Sequence, residues 1–185
     1  KAAKTCAHIS SQIRRMVDMA NDLAAFARGD GEIESAHVSM KELFQHFKEL
    51  NTPFFHDESV TVEMNPNNVS LQGDASKLLR VLQNLVANAL DAIHQTNKSG
   101  TITITAIDKE QTIYLSIADS GPGIPEEIQS RFFEPFVTYG KSEGTGLGSA
   151  IVRSIIDAHH GTIIFSTGSK GTTFTIKLPK SGKHS

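Results

Sequence analysis

Apolar positions along this chain change their spacing several times, and each change marks an element. Over residues 5–28, "TCAHISSQIRRMVDMANDLAAFAR", the residues Ile9, Ile13, Met16, Ala20, Leu23 and Ala27 recur at alternating four- and three-residue steps. That spacing is a heptad seam, and it predicts a helix whose stripe packs on a partner helix or on the domain's own core. "GDGE" ends it. From Val38 to His56, Met40, Leu43, Phe44, Phe47 and Leu50 stand at helical spacing behind Ser39, a residue suited to capping a helix start. "VTVEM" (60–64) and "VSLQG" (69–73) alternate as short strands joined by an Asn/Pro-rich turn.

Asp74 then precedes the longest periodic run, "ASKLLRVLQNLVANALDAIHQ", read as a capped helix. "TITITAI" (101–107) and "TIYLSIA" (112–118) alternate strictly and predict a hairpin-like strand pair. A short helix around "PEEIQSRFF", the segment "EPFVTYGKSEGTGLG", a helix "SAIVRSIIDAHH" and the strands "GTIIFST" and "TTFTIKL" complete the order. Helices and strands in this succession predict an α/β fold with helices on one face of a sheet.

Composition excludes more than it selects. With 185 residues, 38% apolar and 21% charged, the chain is an ordinary globular one rather than a disordered one. A net charge of −2 argues against a nucleic-acid partner held by blanket phosphate neutralisation. The single cysteine, Cys6, rules out an internal disulfide or a cysteine zinc site and fits a cytoplasmic, reducing compartment. No apolar run reaches transmembrane length. The chain opens at Lys1 inside a predicted helix, so a longer parent is expected, with any membrane attachment in segments upstream.

Three stretches carry chemistry. On the long helix Leu78, Leu82, Leu85, Ala89 and Ile93 share one side, while Asn84, Asn88 and Asp91 share the other. Asparagine and aspartate are unfavourable inside helices because they compete for the backbone, so this face is either simply solvated or a hard-cation site. "GTGLG" (144–148) stands before an apolar helix, as a phosphate-cradling turn does; a flexible loop or a helix-start packing need explains it equally when taken alone. It is neither the Gly-Lys-Ser/Thr nucleotide loop nor the dinucleotide fingerprint. "DSGPGI" (119–124) leaves a strand through a carboxylate that can accept from an exocyclic amine, with glycines 121 and 123 clearing room for a planar ring.

In order and spacing, "NLVANALDA", "DSGPGI", "RFFEPF", "GTGLG" and "GTTF" resemble the boxes of the histidine-kinase branch of the gyrase, Hsp90 and MutL ATPase superfamily, over roughly residues 35–180. The resemblance implies a two-layer sandwich of a mixed sheet and three helices that binds ATP with Mg2+ (the Bergerat fold). By it, Asn88 is the magnesium ligand, Asp119 reads adenine, Gly121 and Gly123 contact the ring, and Thr172 backs the pocket. Gly144, Thr145, Gly146, Leu147 and Gly148 form the phosphate loop, and Asn84, Asp91, Ala92 and Ile124 complete the nucleotide-binding set. Lys141 in the lid is a phosphate contact and, with Asn88, part of the catalytic set, or else an inert surface lysine. Phe133 and Phe136 anchor the lid or, equally, are plain core aromatics; the lid is short, as in nitrogen-regulator sensor kinases.

The resemblance also divides the chain. Residues 1–30 match the second helix of a dimerisation and phosphoacceptor hairpin, residues 31–180 the catalytic domain, and 181–185 are expected to be a disordered tail. The implied partners are a response regulator receiver domain and a second copy through the hairpin. His8 lacks the acidic neighbour and nearby proline of an acceptor and reads as a surface histidine, and His159 and His160 read as capping or surface groups. Two departures stand out. Where hydrolysing relatives carry a glutamate one turn before the metal asparagine, this chain has Asn84, and an amide is no general base. Ser149 stands where such kinases usually have leucine, which bears on local helix packing. The resulting function is ATP-dependent phosphotransfer to a histidine on an upstream helix; the alternative is a nucleotide-binding pseudo-kinase or interaction module.

Overall fold

The computed structural model describes residues 20, 23–24, 33–55, 59–96, 99–139 and 145–181. Its elements are β1 (Ala36–Ser39), α1 (Met40–Leu50), α2 (Thr52–Phe55), β2 (Val60–Asn65), β3 (Ser70–Gly73), α3 (Ala75–His94), β4 (Gly100–Lys109), β5 (Thr112–Asp119), α4 (Glu126–Gln129), α5 (Gly148–Ala158), β6 (Thr162–Gly168) and β7 (Gly171–Pro179). Five strands form a mixed sheet in the order β2-β4-β5-β7-β6, with β2 parallel to β4 and the other neighbours antiparallel.

Period-two alternation sends Ile102, Ile104 and Ala106 of β4, Ile113, Leu115 and Ile117 of β5, and Phe174, Ile176 and Leu178 of β7 into one buried layer. Threonines and serines fill the half-buried opposite face. The period-3.6 stripe of α3, from Leu78 through Leu85 to Ile93, is buried together with the Ile151, Ile155 and Ile156 stripe of α5 and with Leu43, Phe44 and Phe47 of α1. Each such fully buried side chain contributes about 1.5–3 kcal/mol. This is the expected two-layer α/β sandwich.

Asp74 caps α3 as its sequence position predicts. Its Oδ1 accepts from the backbone N–H groups of Ser76 and Lys77 at 3.0 and 3.1 Å. Burial alone would raise its pKa, but the Ser76 hydroxyl and the backbone donors of Lys77, Glu34 and Ser76 outweigh that and hold the carboxyl below its ordinary value.

The structure corrects several boundaries. The helix predicted within residues 38–56 starts at Met40 behind Ser39, whose Oγ accepts from the Glu42 N–H as the expected cap, but it breaks at Asn51, whose N–H and side-chain amide both donate to the Phe47 carbonyl. Pro53 follows in the first turn of α2 and has no N–H to continue the hydrogen bonding of α1. Leu50, on the predicted stripe, is exposed. The segments 60–64 and 69–73 are both strands but share no sheet: β2 lies beside β4, while β3 pairs antiparallel with β1. Asn67, with φ +48°, turns the chain between them and ties it to β4 through an Nδ2 bond to the Ala106 carbonyl at 2.6 Å.

Most of the predicted N-terminal helix, with Cys6 and His8, lies outside the described residues, as do Lys141, Gly144 and residues 182–185. Of the heptad seam, Ala20 and Leu23 are described; both are helical and exposed. Among the described residues no helix is long and apolar enough to cross a membrane.

His159 is the C-cap of α5, as one of the two readings had it, and is buried instead of lying on the surface. Its Nδ1–H donates to the Ile155 carbonyl at 2.8 Å, and its Nε2 accepts from the Asp74 N–H at 3.0 Å, joining the end of α5 to the start of α3. The two bonds fix the neutral tautomer. Burial depresses its pKa below the ordinary 6.5, with the Ile155 bond and Asp74 opposing. An unfolded chain therefore takes up this proton at higher pH than the folded one, so the contribution is intact above about pH 6.5 and is lost as pH falls through the folded pKa. Urea titrations of the chain and of His159→Gln between pH 8 and 5 are expected to differ in slope, with the native chain losing more stability on acidification. Parallel slopes would place His159 outside the pH response.

Candidate functional site

The polar face of α3 borders a cleft of about 260 Å³ enclosed by β5, β7, the start of α5 and the segment after Phe136. Asn84, Asn88, Asp91 and Ala92 line it from α3; Asp119, Gly123 and Ile124 from the end of β5; Thr145, Gly146 and Gly148 from the approach to α5; and Thr172 from β7. One surface thus gathers most of the predicted site.

Asp119 is built as an acceptor. Its Oδ1 accepts from the N–H groups of Gly121 at 2.8 Å and Thr172 at 3.3 Å, while Oδ2 has no partner among the described residues. Burial raises the carboxyl's pKa above its ordinary value, and the two backbone donors counter it. Behind it Thr172 is buried, and its hydroxyl lies 3.1 Å from that of Thr167, which accepts from the Ile124 N–H at 2.7 Å. Thr167 on β6 thereby holds the loop in place. No local motif signals it.

The glycines of "DSGPGI" also answer a packing need. Gly121 is buried and does not line the cleft: a Cβ there would stand 2.9 Å from Asp119 Oδ1 and 3.2 Å from the Ala92 Cβ. Its bareness lets the N–H reach the carboxylate. A Cβ on Gly123 would run into the Gly168 carbonyl of the β6–β7 turn. A side chain at either position would therefore meet protein, and Gly123 also lines the cleft. Leu147 also stays out of the cleft, because its side chain is core.

At the other end of α3, Asn84 turns its Nδ2 onto the Arg80 carbonyl of its own helix at 2.9 Å. Its Oδ1 then faces the start of α5, where a Cβ on Gly148 would come within 2.6 Å. Asn88 lines the cleft and has no hydrogen-bond partner among the described residues, so its amide oxygen is available to a cation. α5 begins without any side-chain cap, so its first N–H groups lack the usual partner and present the positive end of the helix to the cleft. From Ala92, which abuts the Asp119 loop, back to Asn84 at α5 is eight residues, about 12 Å at 1.5 Å per residue. The site is thus elongated, with an acceptor at one end and donors at the other.

Phe133 and Phe136 do not act as a pair. Phe133 joins Phe132, Phe165 and Phe174 in a ring cluster, with the Phe132 and Phe133 centroids 5.2 Å apart, whereas Phe136 is 67% exposed. Phe136 has φ +66° and donates its N–H to the Gly146 carbonyl at 2.9 Å; Gly146 has φ +67°, and a Cβ on it would meet the Phe136 backbone at 2.6 Å. The stretch between them leaves and returns at one point. Val137, Thr138 and Tyr139 from that stretch, with Phe132, Gln95 and Ser149, line the cleft without having been singled out for it from sequence.

Comparison with known proteins places this architecture. The family model described as histidine kinase-, DNA gyrase B-, and HSP90-like ATPase matches residues 73–182. The C4-dicarboxylate transport sensor protein DctB of Rhizobium meliloti (strain 1021) is 32% identical over 181 residues, 97% of this chain and 29% of that protein. The sensor histidine kinase ZraS of Escherichia coli (strain K12) is 36% identical over 145 residues, 77% of this chain and 30% of that protein. The chain thus spans under a third of either relative. Among solved structures, the catalytic domain of histidine kinase ThkA superposes with a TM-score of 0.70 at 33% identity, covering 81% of this chain and 98% of that one. ThkA in complex with response regulator protein TrrA gives a TM-score of 0.74 at 27% identity, covering 96% of this chain and 51% of that one. The chain belongs to the histidine kinase-, DNA gyrase B- and HSP90-like ATPase family, as an ATP-binding catalytic domain of the sensor histidine kinases.

Proposed function

We propose that the cleft binds Mg-ATP with adenine at Asp119 and the phosphates at the start of α5, and that the γ-phosphate is transferred to a histidine on a separate helix for relay to a response regulator aspartate. The carrying observation is the pairing, across one elongated cleft, of a carboxylate oxygen without a protein partner and an uncapped helix start. Asn88 suits magnesium, since that ion on a nucleotide asks the protein for only one or two oxygens. When bound, magnesium neutralises phosphate charge. Asn84 offers no base for water, so slow hydrolysis is expected, and no histidine lines the cleft among the described residues. The acceptor therefore comes from another element, and we place it on the helix that pairs with residues 1–30. The catalytic domain occupies residues 31–180, and the seam favours a homodimer of hairpins in a cytoplasmic setting.

The test combines binding and labelling. Calorimetry is expected to show Mg-ATP binding, and Asn88→Ala is expected to weaken magnesium-dependent binding about tenfold while sparing metal-free binding. With γ-labelled ATP, the chain is expected to leave itself unlabelled and to place acid-labile, base-stable label on an added hairpin fragment that carries a histidine. Mg-ATP binding without transfer would favour the pseudo-kinase alternative, and stoichiometric label on His8 would overturn the placement of the acceptor.

A further inference from the structure

Ser149 is the second residue of α5, is 7% exposed and lines the cleft. Its hydroxyl has no hydrogen-bond partner among the described residues. A buried hydroxyl left unpaired is unfavourable, and an alanine of nearly the same shape avoids that penalty. Ser149 also sits among backbone donors, since Leu147 caps α5 with no side-chain bond and the first turn of the helix has no carbonyl within the helix to receive its N–H groups. Gly148, the residue before it, faces the Asn84 amide oxygen, and both Asn84 and Ser149 line the cleft. This is the end of the cleft about 12 Å from the Asp119 loop along α3.

We propose that Ser149 Oγ–H donates a hydrogen bond to a phosphate oxygen of the bound nucleotide, which makes Ser149 a binding residue that adds a side-chain donor to the backbone donors of α5. The positive helix end and the lack of a protein acceptor select an anion over a neutral group, and the distance from Asp119 selects the phosphates over the base. The proposal rests on the ATP reading above. It also gives the serine at this position a ligand instead of a packing role.

Calorimetry with ATP and with adenosine, on the full chain and on Ser149→Ala, separates these roles. The alanine variant is expected to bind ATP about tenfold more weakly, as the loss of one hydrogen bond to a charged group requires. Adenosine affinity is expected to be unchanged, and the nucleotide-free variant is expected to melt at the same temperature or higher. Ser149→Cys, whose slightly bulkier thiol donates only weakly, is expected to follow alanine. ATP affinity within twofold of the native chain, equal losses for ATP and adenosine, or a lower melting temperature without nucleotide would each overturn the proposal. A native chain that binds neither ligand would overturn the ATP reading and this proposal together, whereas normal ATP binding by both chains removes only the role of the hydroxyl.

Discussion

Asp119→Asn is expected to lower adenine-nucleotide affinity by about a hundredfold while leaving the fold and its melting temperature essentially unchanged. The two backbone donors decide this outcome. Gly121 N–H and Thr172 N–H both converge on one carboxylate oxygen, so an asparagine must turn its own oxygen toward them. Its NH2 then takes the place of Oδ2 and faces the cleft. A donor confronts the exocyclic amine that the carboxylate would have accepted, and a charge-assisted bond of about 1.5–3 kcal/mol is replaced by an unsatisfied contact. The fold tolerates the exchange because it removes a charge that burial already disfavours. Calorimetry with ATP beside circular dichroism is the measurement, and unchanged affinity in a folded variant would remove Asp119 from the nucleotide site.

Gly171→Ala is expected to unfold the site from the opposite side. Gly171 has φ +128°, a region side chains rarely enter, and a Cβ there would be driven onto the Asp119 carbonyl oxygen. The neighbouring Thr172 pairs with Asp119 across the β5–β7 ladder, so relief requires those strand ends to separate. Backbone strain of about 1–3 kcal/mol and overpacking of similar size add. A fall in melting temperature of about 10 °C is expected, together with loss of nucleotide binding. Gly168, at the other end of the same turn, is the internal control. Nothing lies within 4 Å of a Cβ placed there, so Gly168→Ala is expected to change stability by less than about 0.5 kcal/mol. Equal effects of the two substitutions would show that the turn, and not the Asp119 contact, sets the requirement for glycine.

Much of the fold was legible because its periodic elements are long. The stripe of α3 and the strict alternation of β4 and β5 each repeat enough times to state their period and their buried face. The pairing of β3 was not legible, since its partner β1 lies up to 37 residues earlier, at Ala36↔Gly73, and both strands are four residues long. Strand partners are chosen by tertiary packing, and nothing local to "VSLQG" names them. At the site, Asn84, Asn88, Asp119 and Thr172 could be placed because each sits in a run of distinctive residue types. Thr167 could not, as one hydroxyl in an ordinary strand gains its role only when β6 brings it beneath Ile124. The packing need at Gly121 was not legible either: its missing side chain lets its N–H reach the carboxylate, a contact that exists only in the folded loop.

The hydrogen bond from the Phe136 N–H to the Gly146 carbonyl closes a ring of chain. Both ends of that ring are fixed by backbone contacts that do not involve the residues within it. The number of residues inserted between them is therefore uncoupled from the strand register and from the position of α5. A closed loop costs only about 0.6 kcal/mol for each doubling of its length, so this is the point at which the domain can grow. Extra sequence placed there is expected neither to re-register a strand nor to shift α5, and chimaeras carrying longer or foreign segments between Phe136 and Gly146 should keep the parent's melting temperature.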